Sequence, residues 1–330
     1  MSKKILENLF LKKTLTKDES RKLIIDMSNG NINDYKIIAI ISIYNMRNPT
    51  INEIVGFYQA MRELSINIDL EEKNAIDIVG TGGDKNTFNI STIACFIVAG
   101  AGGKVIKHGN YGSSSITGAS NILKGLGFKF TNKKKNLKNQ LNKTGICYLH
   151  APIFHHFLKK ISIYRKNLEV KTIFNLLGPM LNPCNPRNIL LGVNNLNVAR
   201  IYHYIYQYKK NNYTIIHSVD GYDEITLTSN VKCYTNKGEN FFSVKELNKN
   251  NVNVNIKDLK GGNSIQENIK IFLDILSGKG TTAQNEIVLT NATFALNLIN
   301  NNDFKYNYNK ARHSLESGKA KNVLKKLLNL

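Results

Sequence analysis

Residues 77–92 read Asp-Ile-Val-Gly-Thr-Gly-Gly-Asp-Lys-Asn-Thr-Phe-Asn-Ile-Ser-Thr, and this stretch decides the fold of the chain. It predicts a short buried strand, then a glycine loop, then the start of a helix. Gly80, Gly82 and Gly83 have no side chains, so a ligand can approach the backbone closely there. The free N–H groups and the dipole at a helix start favour an anion. The stretch therefore predicts a binding site for a phosphate group.

Polar side chains at both ends of this loop refine the prediction. Ser91 and Thr92 supply hydroxyl donors at the helix start. Asp84 is the exception, because a carboxylate repels a phosphate unless a cation, a ribose hydroxyl or a loop amide lies between them. The pattern indicates a phosphorylated ligand that also carries hydroxyl groups. A single glycine cluster is more often an ordinary turn, so the prediction needs support from a second element.

The second element follows one helix later. Residues 104–106 predict another strand, which leads into Lys107-His-Gly-Asn110, so residues 77–110 have the order of a βαβ unit. Parallel strands bring their carboxyl ends together, and ligands bind at those ends. Lys107 offers a positive charge, and the Asn110 amide offers both a donor and an acceptor. Alone, Lys107 would be part of a basic surface turn; beside the glycine loop it indicates one shared crevice.

A serine-rich run comes next along the chain. Ser113-Ser-Ser-Ile-Thr-Gly-Ala-Ser120 precedes a helical pattern at residues 122–126. Hydroxyl groups before a helix start suit a phosphate, although most serine runs are flexible polar loops. Because this run also starts beyond a strand end, we expect it at the same crevice.

Together these blocks resemble the anthranilate phosphoribosyltransferase family, and the resemblance covers nearly the whole chain. Gly80–Asp84, Asn89–Thr92 and Lys107–Asn110 are similar, in order, to that family's motifs for phosphoribosyl pyrophosphate (PRPP). Thr172–Pro179 resembles a specific family signature, and Gly221–Glu224 resembles its magnesium-binding block. The resemblance implies attack of the anthranilate amine on C1 of PRPP, giving N-(5-phosphoribosyl)anthranilate and pyrophosphate in tryptophan biosynthesis.

The resemblance also implies roles for individual residues. Those expected to bind PRPP are Gly80, Gly83, Asp84, Thr87, Asn89, Ile90, Ser91, Thr92, Lys107, His108, Gly109, Asn110, Ser113, Ser114, Ser115 and Ala119. Those expected beside anthranilate are Gly80, Asn110 and Arg165, with Arg165 binding the carboxylate. Those expected to hold Mg²⁺, as two ions per subunit, are Ser91, Asp223 and Glu224. No covalent nucleophile is expected, and we favour positioning roles for His108 and His155.

Several positions depart from the family pattern. The loop between Asp84 and Asn89 is one residue shorter than usual, and Tyr111 stands where arginine is common. The substituted positions in and beside the serine run are Thr117, Ala119 and Asn121. We expect these changes to affect substrate affinity and positioning rather than the type of reaction.

Two other functions remain as alternatives. A pyrimidine nucleoside phosphorylase would share the architecture and the Lys-His-Gly-Asn motif at 107–110, although its usual base-binding element is missing from this chain. The formal net charge of +21 suits a nucleic-acid-binding protein. However, the lysines are spread along the chain rather than gathered in a recognition motif, so we expect small-molecule substrates and no nucleic acid.

Length and periodicity indicate the domain organisation. With 330 residues, of which 42% are hydrophobic, the chain is long enough for two globular domains. Residues 1–70 predict a small all-helical domain, with capping boxes at Thr16–Glu19 and Thr50–Glu53, and residues 71–330 predict an α/β domain with a mainly parallel central sheet. The resemblance implies a homodimer formed through the helical domain.

The remaining features indicate where the protein is found. The four cysteines are scattered without a C-x-x-C pair, which favours reduced thiols over a zinc site. No stretch approaches the roughly 20 apolar residues of a membrane span, and no signal-peptide pattern is visible at the start of the sequence. We therefore expect a cytoplasmic protein with no membrane association.

Overall fold

The computed structural model describes residues 2–82, 85–112, 115–170, 172–209, 211–300 and 302–330. In chain order its helices are α1 (Ser2–Phe10), α2 (Lys17–Ser28), α3 (Asp34–Met46), α4 (Ile51–Glu63), α5 (Ile90–Gly100), α6 (Ala119–Gly125), α7 (Lys134–Thr144), α8 (Ala151–Phe154), α9 (His156–Leu168), α10 (Ile173–Leu177), α11 (Leu196–Gln207), α12 (Val244–Leu247), α13 (Ile265–Leu276), α14 (Thr282–Ile299), α15 (Phe304–Glu316) and α16 (Lys319–Leu328). Its strands are β1 (Ile76–Gly80), β2 (Val105–Gly109), β3 (Ile146–His150), β4 (Asn188–Gly192), β5 (Asn212–Ser218), β6 (Val231–Thr235) and β7 (Gly238–Phe242).

The chain divides into two compact units in a way that differs from the expected 1–70 and 71–330. The helical unit comprises Met1–Ile68 and Ala151–Pro183, and the α/β unit comprises Asp69–His150 and Cys184–Leu330. The second segment joins the helical unit because α10 packs against α3 and α4, and because the Ile68 N–H donates to the Pro183 carbonyl at 3.2 Å. Such contacts between distant segments leave no mark in local sequence periodicity.

The helical unit is held by close packing of α2 against α4. A side chain at Gly56 would overlap the Lys17 carbonyl, so glycine permits this approach. Both predicted capping boxes are present: the Thr16 hydroxyl accepts from the Glu19 N–H, and the Thr50 hydroxyl accepts from the Glu53 N–H. The helices therefore begin where the sequence predicts.

The α/β unit is built on a seven-stranded sheet of order β3-β2-β1-β4-β5-β6-β7. The first five strands are parallel, and β6 and β7 are antiparallel additions at one edge. Nine of the eleven residues of α5 are buried, and α5 packs against α14 and α16 to form the core on one face. A helical N-terminal part and a mainly parallel sheet confirm the predicted fold class.

The order of the strands locates a crevice. From β1 the chain adds β2 and then β3 on one side, and it later returns to add β4 on the other side of β1. The loops that leave β1 and β4 therefore turn away from each other. In open α/β sheets, ligands bind at the carboxyl ends of the strands at such a switch point.

A buried ion pair orders the helical unit. The Glu53 side chain is fully buried and accepts hydrogen bonds from the Arg47 guanidinium, the Tyr44 hydroxyl and the backbone N–H groups of Leu15 and Thr50. Burial alone would raise the pKa of Glu53, but the Arg47 and backbone hydrogen bonds outweigh it and lower the pKa to about 2.

We predict that Glu53→Gln lowers the free energy of unfolding by about 3 kcal/mol at neutral pH, because Arg47 then stays half-buried without its counter-charge. A depressed folded-state pKa stabilises the fold above the unfolded value of 4.5 and ceases to do so as the pH falls through about 2. The difference between wild type and variant should therefore narrow on acidification in urea titrations. Glu63→Gln is the control, because its ion pair with Arg21 is exposed; an equal loss in both variants would contradict the prediction.

Candidate active site

Two glycines meet at the switch point of the sheet. Gly80 ends β1, Gly192 ends β4, and the two residues are aligned in the parallel ladder. A Cβ atom on Gly80 would overlap the Asp223 carboxylate, and one on Gly192 would overlap the Asp223 backbone carbonyl. The absence of both side chains is what allows residues 219–225, here called the acidic segment, to lie against the strand ends.

The acidic segment is anchored to the sheet and to α14. The Ser218 hydroxyl donates to the Glu224 carbonyl at 2.6 Å, which closes the turn that follows β5. The Ile225 N–H donates to the Asn291 side chain at 3.1 Å, and the Asn291 amide donates back to the Ile225 carbonyl at 2.8 Å. The positive φ of Gly221, 85°, suits glycine at the turn. The segment therefore presents Asp223 and Glu224 from a rigid base.

The glycine loop (residues 80–89, of which 83 and 84 lie outside the described residues) contacts the acidic segment directly. The Gly82 N–H donates to Asp223 Oδ2 at 2.9 Å, and the Thr87 hydroxyl donates to Glu224 Oε2 at 3.3 Å. A backbone hydrogen bond from Ser91, in the first turn of α5, also reaches the Glu224 carboxylate. The structure thus brings together Ser91, Asp223 and Glu224, the three residues expected at the metal site.

Burial dominates the electrostatics of this pair. Burial raises the pKa of Glu224 well above its ordinary value, and the adjacent Asp223 charge raises it further. The Thr87 and Ser91 hydrogen bonds and the Lys107 charge act in the opposite direction. Adjacent carboxylates of this kind suit a hard divalent cation with oxygen ligands. Within the described ranges, no group of three or more His, Cys, Asp or Glu side chains could hold a metal ion, so further ligands would come from hydroxyls, water or substrate.

Lys107 and His108 lie on β2, next to β1. The Lys107 side chain is buried, and its Nζ donates to the Ile78 carbonyl at 2.7 Å. The His108 N–H donates to the buried Asp77 carboxylate at 3.2 Å. Lys107 therefore places a positive charge within the sheet, close enough to Glu224 to lower its pKa. Its predicted contact with PRPP stays a prediction.

The serine loop (residues 110–118, of which 113 and 114 lie outside the described residues) is tied to the start of α5. The Asn89 amide donates to the Thr117 carbonyl at 3.2 Å, and the Thr117 hydroxyl donates back to the Asn89 side chain at 3.1 Å. Asn121 accepts from the N–H groups of both Gly112 and Gly118 at 2.9 Å. Thr117 and Asn121, two of the departures from the family pattern, therefore shape this loop.

Aromatic side chains lie behind the serine loop. The Ser120 hydroxyl is hydrogen-bonded to Tyr148 at 2.7 Å and to His150 Nδ1 at 2.8 Å, and the His150 ring stacks on Phe130 at 4.2 Å between centroids. Burial lowers the pKa of His150 to about 4, so the ring is neutral at pH 7. Tyr111 packs edge-on against the same ring at 4.9 Å. Tyr111, which stands where arginine is common in the family, therefore belongs to a neutral aromatic cluster.

The other predicted residues are distributed as follows. Ile90 and Thr92 open α5, Gly109 ends β2, Ala119 opens α6, and Ser115 donates to the Thr117 carbonyl at 3.2 Å. Asn110 follows β2, and its carbonyl accepts from the Ser120 N–H. The predicted residues that lie outside the described residues are Gly83, Asp84, Ser113 and Ser114.

Two predicted residues belong to the helical unit. Arg165 lies in α9, where the structure describes its backbone, and His155 precedes that helix. Burial lowers the pKa of His155 to about 4, although a hydrogen bond with the Leu181 backbone acts to raise it. His155 is therefore neutral at physiological pH, which favours a positioning role over acid catalysis.

Sequence reasoning missed Gly192, Lys85 and Tyr222. Gly192 ends β4, and its place beside Gly80 depends on the order of the strands in the sheet, which the sequence does not reveal. Lys85 and Tyr222 sit inside motifs that were chosen for other residues, and their contact joins segments that are far apart in the chain. Only the folded structure reveals that contact.

The chain is similar to known proteins over nearly its whole length. Residues 72–321 match the model described as "Glycosyl transferase family, a/b domain", and residues 3–65 match "Glycosyl transferase family, helical bundle domain". The anthranilate phosphoribosyltransferases of Flavobacterium psychrophilum and Christiangramia forsetii are 50% and 45% identical to this chain, with 99% of each chain covered. The solved anthranilate phosphoribosyltransferase of Thermus thermophilus has a TM-score of 0.89 at 25% identity, with 98% of both chains covered. These findings confirm the family resemblance drawn from the sequence.

We predict that Glu224→Gln stabilises the protein at alkaline pH when divalent cations are removed with EDTA. A raised folded-state pKa stabilises the fold fully below the unfolded value of 4.5, and that contribution is lost as the pH rises through the folded value. Glutamine imitates the protonated acid and escapes the loss, which amounts to about 1.4 kcal/mol for each pKa unit. Thermal unfolding from pH 5 to 9 measures the effect; a constant difference between the two proteins across this range would contradict it.

Proposed function

This chain belongs to the anthranilate phosphoribosyltransferase family, and we propose that it transfers the phosphoribosyl group of PRPP to the amine of anthranilate. The products are N-(5-phosphoribosyl)anthranilate and pyrophosphate, and the step belongs to tryptophan biosynthesis. One observation in this chain carries the proposal. A glycine loop, the start of α5 and an adjacent carboxylate pair converge at the switch point of the sheet.

The chemistry requires little covalent help from the protein. The amine lone pair forms a bond to C1 of the ribose as the bond between C1 and the pyrophosphate oxygen breaks. The electron pair of the broken C1–O bond leaves with pyrophosphate. The amine then loses a proton. Because the ribosyl carbon becomes cationic as the bond stretches, the protein must hold the two reactants in line and stabilise the departing charge.

The donor end of the reaction fits the residues around the glycine loop. The N-terminus of α5, an eleven-residue helix, lies at the carboxyl edge of the sheet beside Asp223 and Glu224. A helix N-terminus attracts pyrophosphate, whereas the carboxylate pair repels it, so the two are compatible when a divalent cation lies between them. Asp223 and Glu224, with Ser91, would hold Mg²⁺, and we propose two ions per subunit. When bound, Mg²⁺ neutralises charge on the leaving pyrophosphate.

The acceptor end is assigned from the sequence. We propose that Arg165 binds the anthranilate carboxylate, since a guanidinium can grip a carboxylate through two parallel hydrogen bonds. Gly80 and Asn110 are proposed beside the amine, and His108 and His155 are proposed to position substrate. The low pKa of His155 supports this role, because an imidazole with a pKa of about 4 is a weak base and is not protonated to imidazolium at pH 7.

We also propose that the protein is a homodimer in the cytoplasm. Within the helical unit, large apolar side chains are exposed at Phe10, Leu11, Tyr35 and Met46. None of the four cysteines, all of which the structure describes, forms a disulfide, which suits a reducing compartment. No helix in the described ranges is both long and apolar enough to cross a membrane. Sedimentation at several protein concentrations measures the oligomeric state.

The decisive assay follows the fluorescence of anthranilate. Incubation with PRPP and Mg²⁺ should consume anthranilate, and omission of either PRPP or Mg²⁺ should stop the reaction. Parallel incubations with phosphate and thymidine or uridine test for nucleoside phosphorylase activity. Phosphate-dependent cleavage of a nucleoside, without loss of anthranilate, would replace the proposed function by that alternative.

We predict that Arg165→Ala raises KM for anthranilate by about 30-fold, which corresponds to the roughly 2 kcal/mol lost when one partner of a charge pair is truncated. KM for PRPP should change far less, since the donor is held elsewhere. Steady-state kinetics with each substrate varied in turn measure both constants. Arg21→Ala is the matched control, because it removes an arginine from an exposed ion pair in the same unit. A similar rise in both KM values would contradict the assignment.

A further inference from the structure

Lys85 makes an unusual contact at the edge of the glycine loop. Its Nζ donates to the backbone carbonyl of Asp220 and lies 3.8 Å from the centroid of the Tyr222 ring. Both partners belong to the acidic segment, just before Asp223. A charged donor on a carbonyl and a cation over an aromatic face are each stronger than their neutral counterparts. Lys85 therefore joins the two segments by a pair of charge-dependent contacts.

The partners of Lys85 are themselves held in place. The Asp220 carboxylate accepts from the Thr228 hydroxyl at 2.5 Å, which fixes the position of the Asp220 backbone. Tyr222 is 7% exposed and packs in the core of the α/β unit. Lys85, by contrast, extends from an exposed loop position. The contact therefore fastens a loop to a rigid base.

Along the glycine loop, Lys85 lies between the two residues whose hydrogen bonds join the loop to the carboxylates. On one side the Gly82 N–H reaches Asp223, and on the other the Thr87 hydroxyl reaches Glu224. Beyond Thr87 the loop is held by Phe88, whose N–H donates to the Leu259 carbonyl at 3.1 Å. Among the contacts that the structure describes for residues 82 and 85–87, those of the Lys85 side chain reach the turn that precedes Asp223.

We propose that Lys85 is a positioning residue for phosphoribosyl transfer, which acts through Tyr222 and the Asp220 carbonyl to hold the glycine loop at its working distance from Asp223 and Glu224. The inference rests on the proposed function. It assigns Lys85 to the distance between the donor-binding loop and the carboxylates, not to contact with substrate. A displacement of about 1 Å at such a place costs on the order of 100-fold in rate.

The rival role for Lys85 is a direct ligand of a PRPP phosphate. A phosphate ligand would chiefly affect KM for PRPP, and its effect would be independent of Tyr222. A positioning residue chiefly affects kcat, because the loop binds donor but holds it out of line. Its effect also becomes smaller once Tyr222 is removed, because both substitutions break the contact with the ring and only the hydrogen bond to the Asp220 carbonyl is left.

The experiment is a double-mutant cycle on the full chain, with Lys85→Met, Tyr222→Leu and both together. We expect kcat to fall about tenfold or more in Lys85→Met and to fall in Tyr222→Leu as well, KM for PRPP to rise less than about threefold, and the double variant to be no worse than Lys85→Met alone. Lys85→Arg should restore most of kcat because arginine also stacks on aromatic rings. Tyr222→Phe should retain the energetic coupling to Lys85 because the aromatic ring is kept.

Lys209→Met is the matched control. Lys209 Nζ also lies over a tyrosine, 5.0 Å from the Tyr206 ring centroid. However, Lys209 follows α11 and precedes β5, so it lies at the amino ends of the parallel strands, away from the site. Its removal should leave kcat unchanged. Multiplicative losses in the cycle, a rise in KM for PRPP without a fall in kcat, or a Lys85→Met enzyme equal to wild type would each overturn the proposal.

A measurement that does not depend on activity separates this inference from the proposed function. Hydrogen exchange of a peptide that spans residues 76–92, followed by mass spectrometry without ligand, should be about tenfold faster in Lys85→Met than in wild type or Lys209→Met. If the wild-type protein is inactive and exchange is still faster in Lys85→Met, the proposed function is refuted, but the role of Lys85 in holding the glycine loop is supported. Unchanged exchange in Lys85→Met would refute the inference even in an active enzyme. Because this measurement does not need Tyr222→Leu, it also tests the inference if that variant fails to fold.

Discussion

The site depends on the absence of two side chains where β1 and β4 end. A methyl group at either Gly80 or Gly192 would occupy space that Asp223 fills, so the acidic segment can reach the switch point only because both positions are glycine. The consequence reaches further than two residues. With Asp223 and Glu224 at the strand ends, the Gly82 N–H and the Thr87 hydroxyl find acceptors there. The glycine loop thus takes its path partly from the carboxylates that it faces.

This arrangement places negative charge where a polyanionic donor is expected, and the balance of charges explains how both can be accommodated. Glu224 is buried beside Asp223, and the positive charge of Lys107 lowers the pKa that burial and Asp223 raise. Lys107 itself is hydrogen-bonded to the Ile78 carbonyl within the sheet. A buried pair that is only partly neutralised favours a divalent ion, and an ion held there would in turn attract phosphate oxygens. The high net charge of the whole chain adds long-range attraction for the donor, which salt would screen.

The sequence predicted the parts of the fold that arise from short-range patterns. Alternation of buried strands with helices, and the capping boxes at Thr16 and Thr50, depend on neighbours within a few residues, and the structure contains them. The placement of 151–183 in the helical unit and the contact between Lys85 and the acidic segment join residues that are far apart in the chain. For Lys85 and Asp220 the separation is 135 residues. No local pattern records such contacts, and the motifs identified the right segments but not the side chains that join them.

Three of the departures from the family pattern are explained by the contacts that their side chains make in the serine loop. Thr117 exchanges two hydrogen bonds with Asn89, and Asn121 accepts from two backbone N–H groups of the serine loop. Tyr111 contacts the neutral ring of His150. Each substituted side chain thus holds a loop in place rather than adding charge to it. In the glycine loop, the long side chain of Lys85 likewise reaches the acidic segment, at the Asp220 carbonyl and the Tyr222 ring.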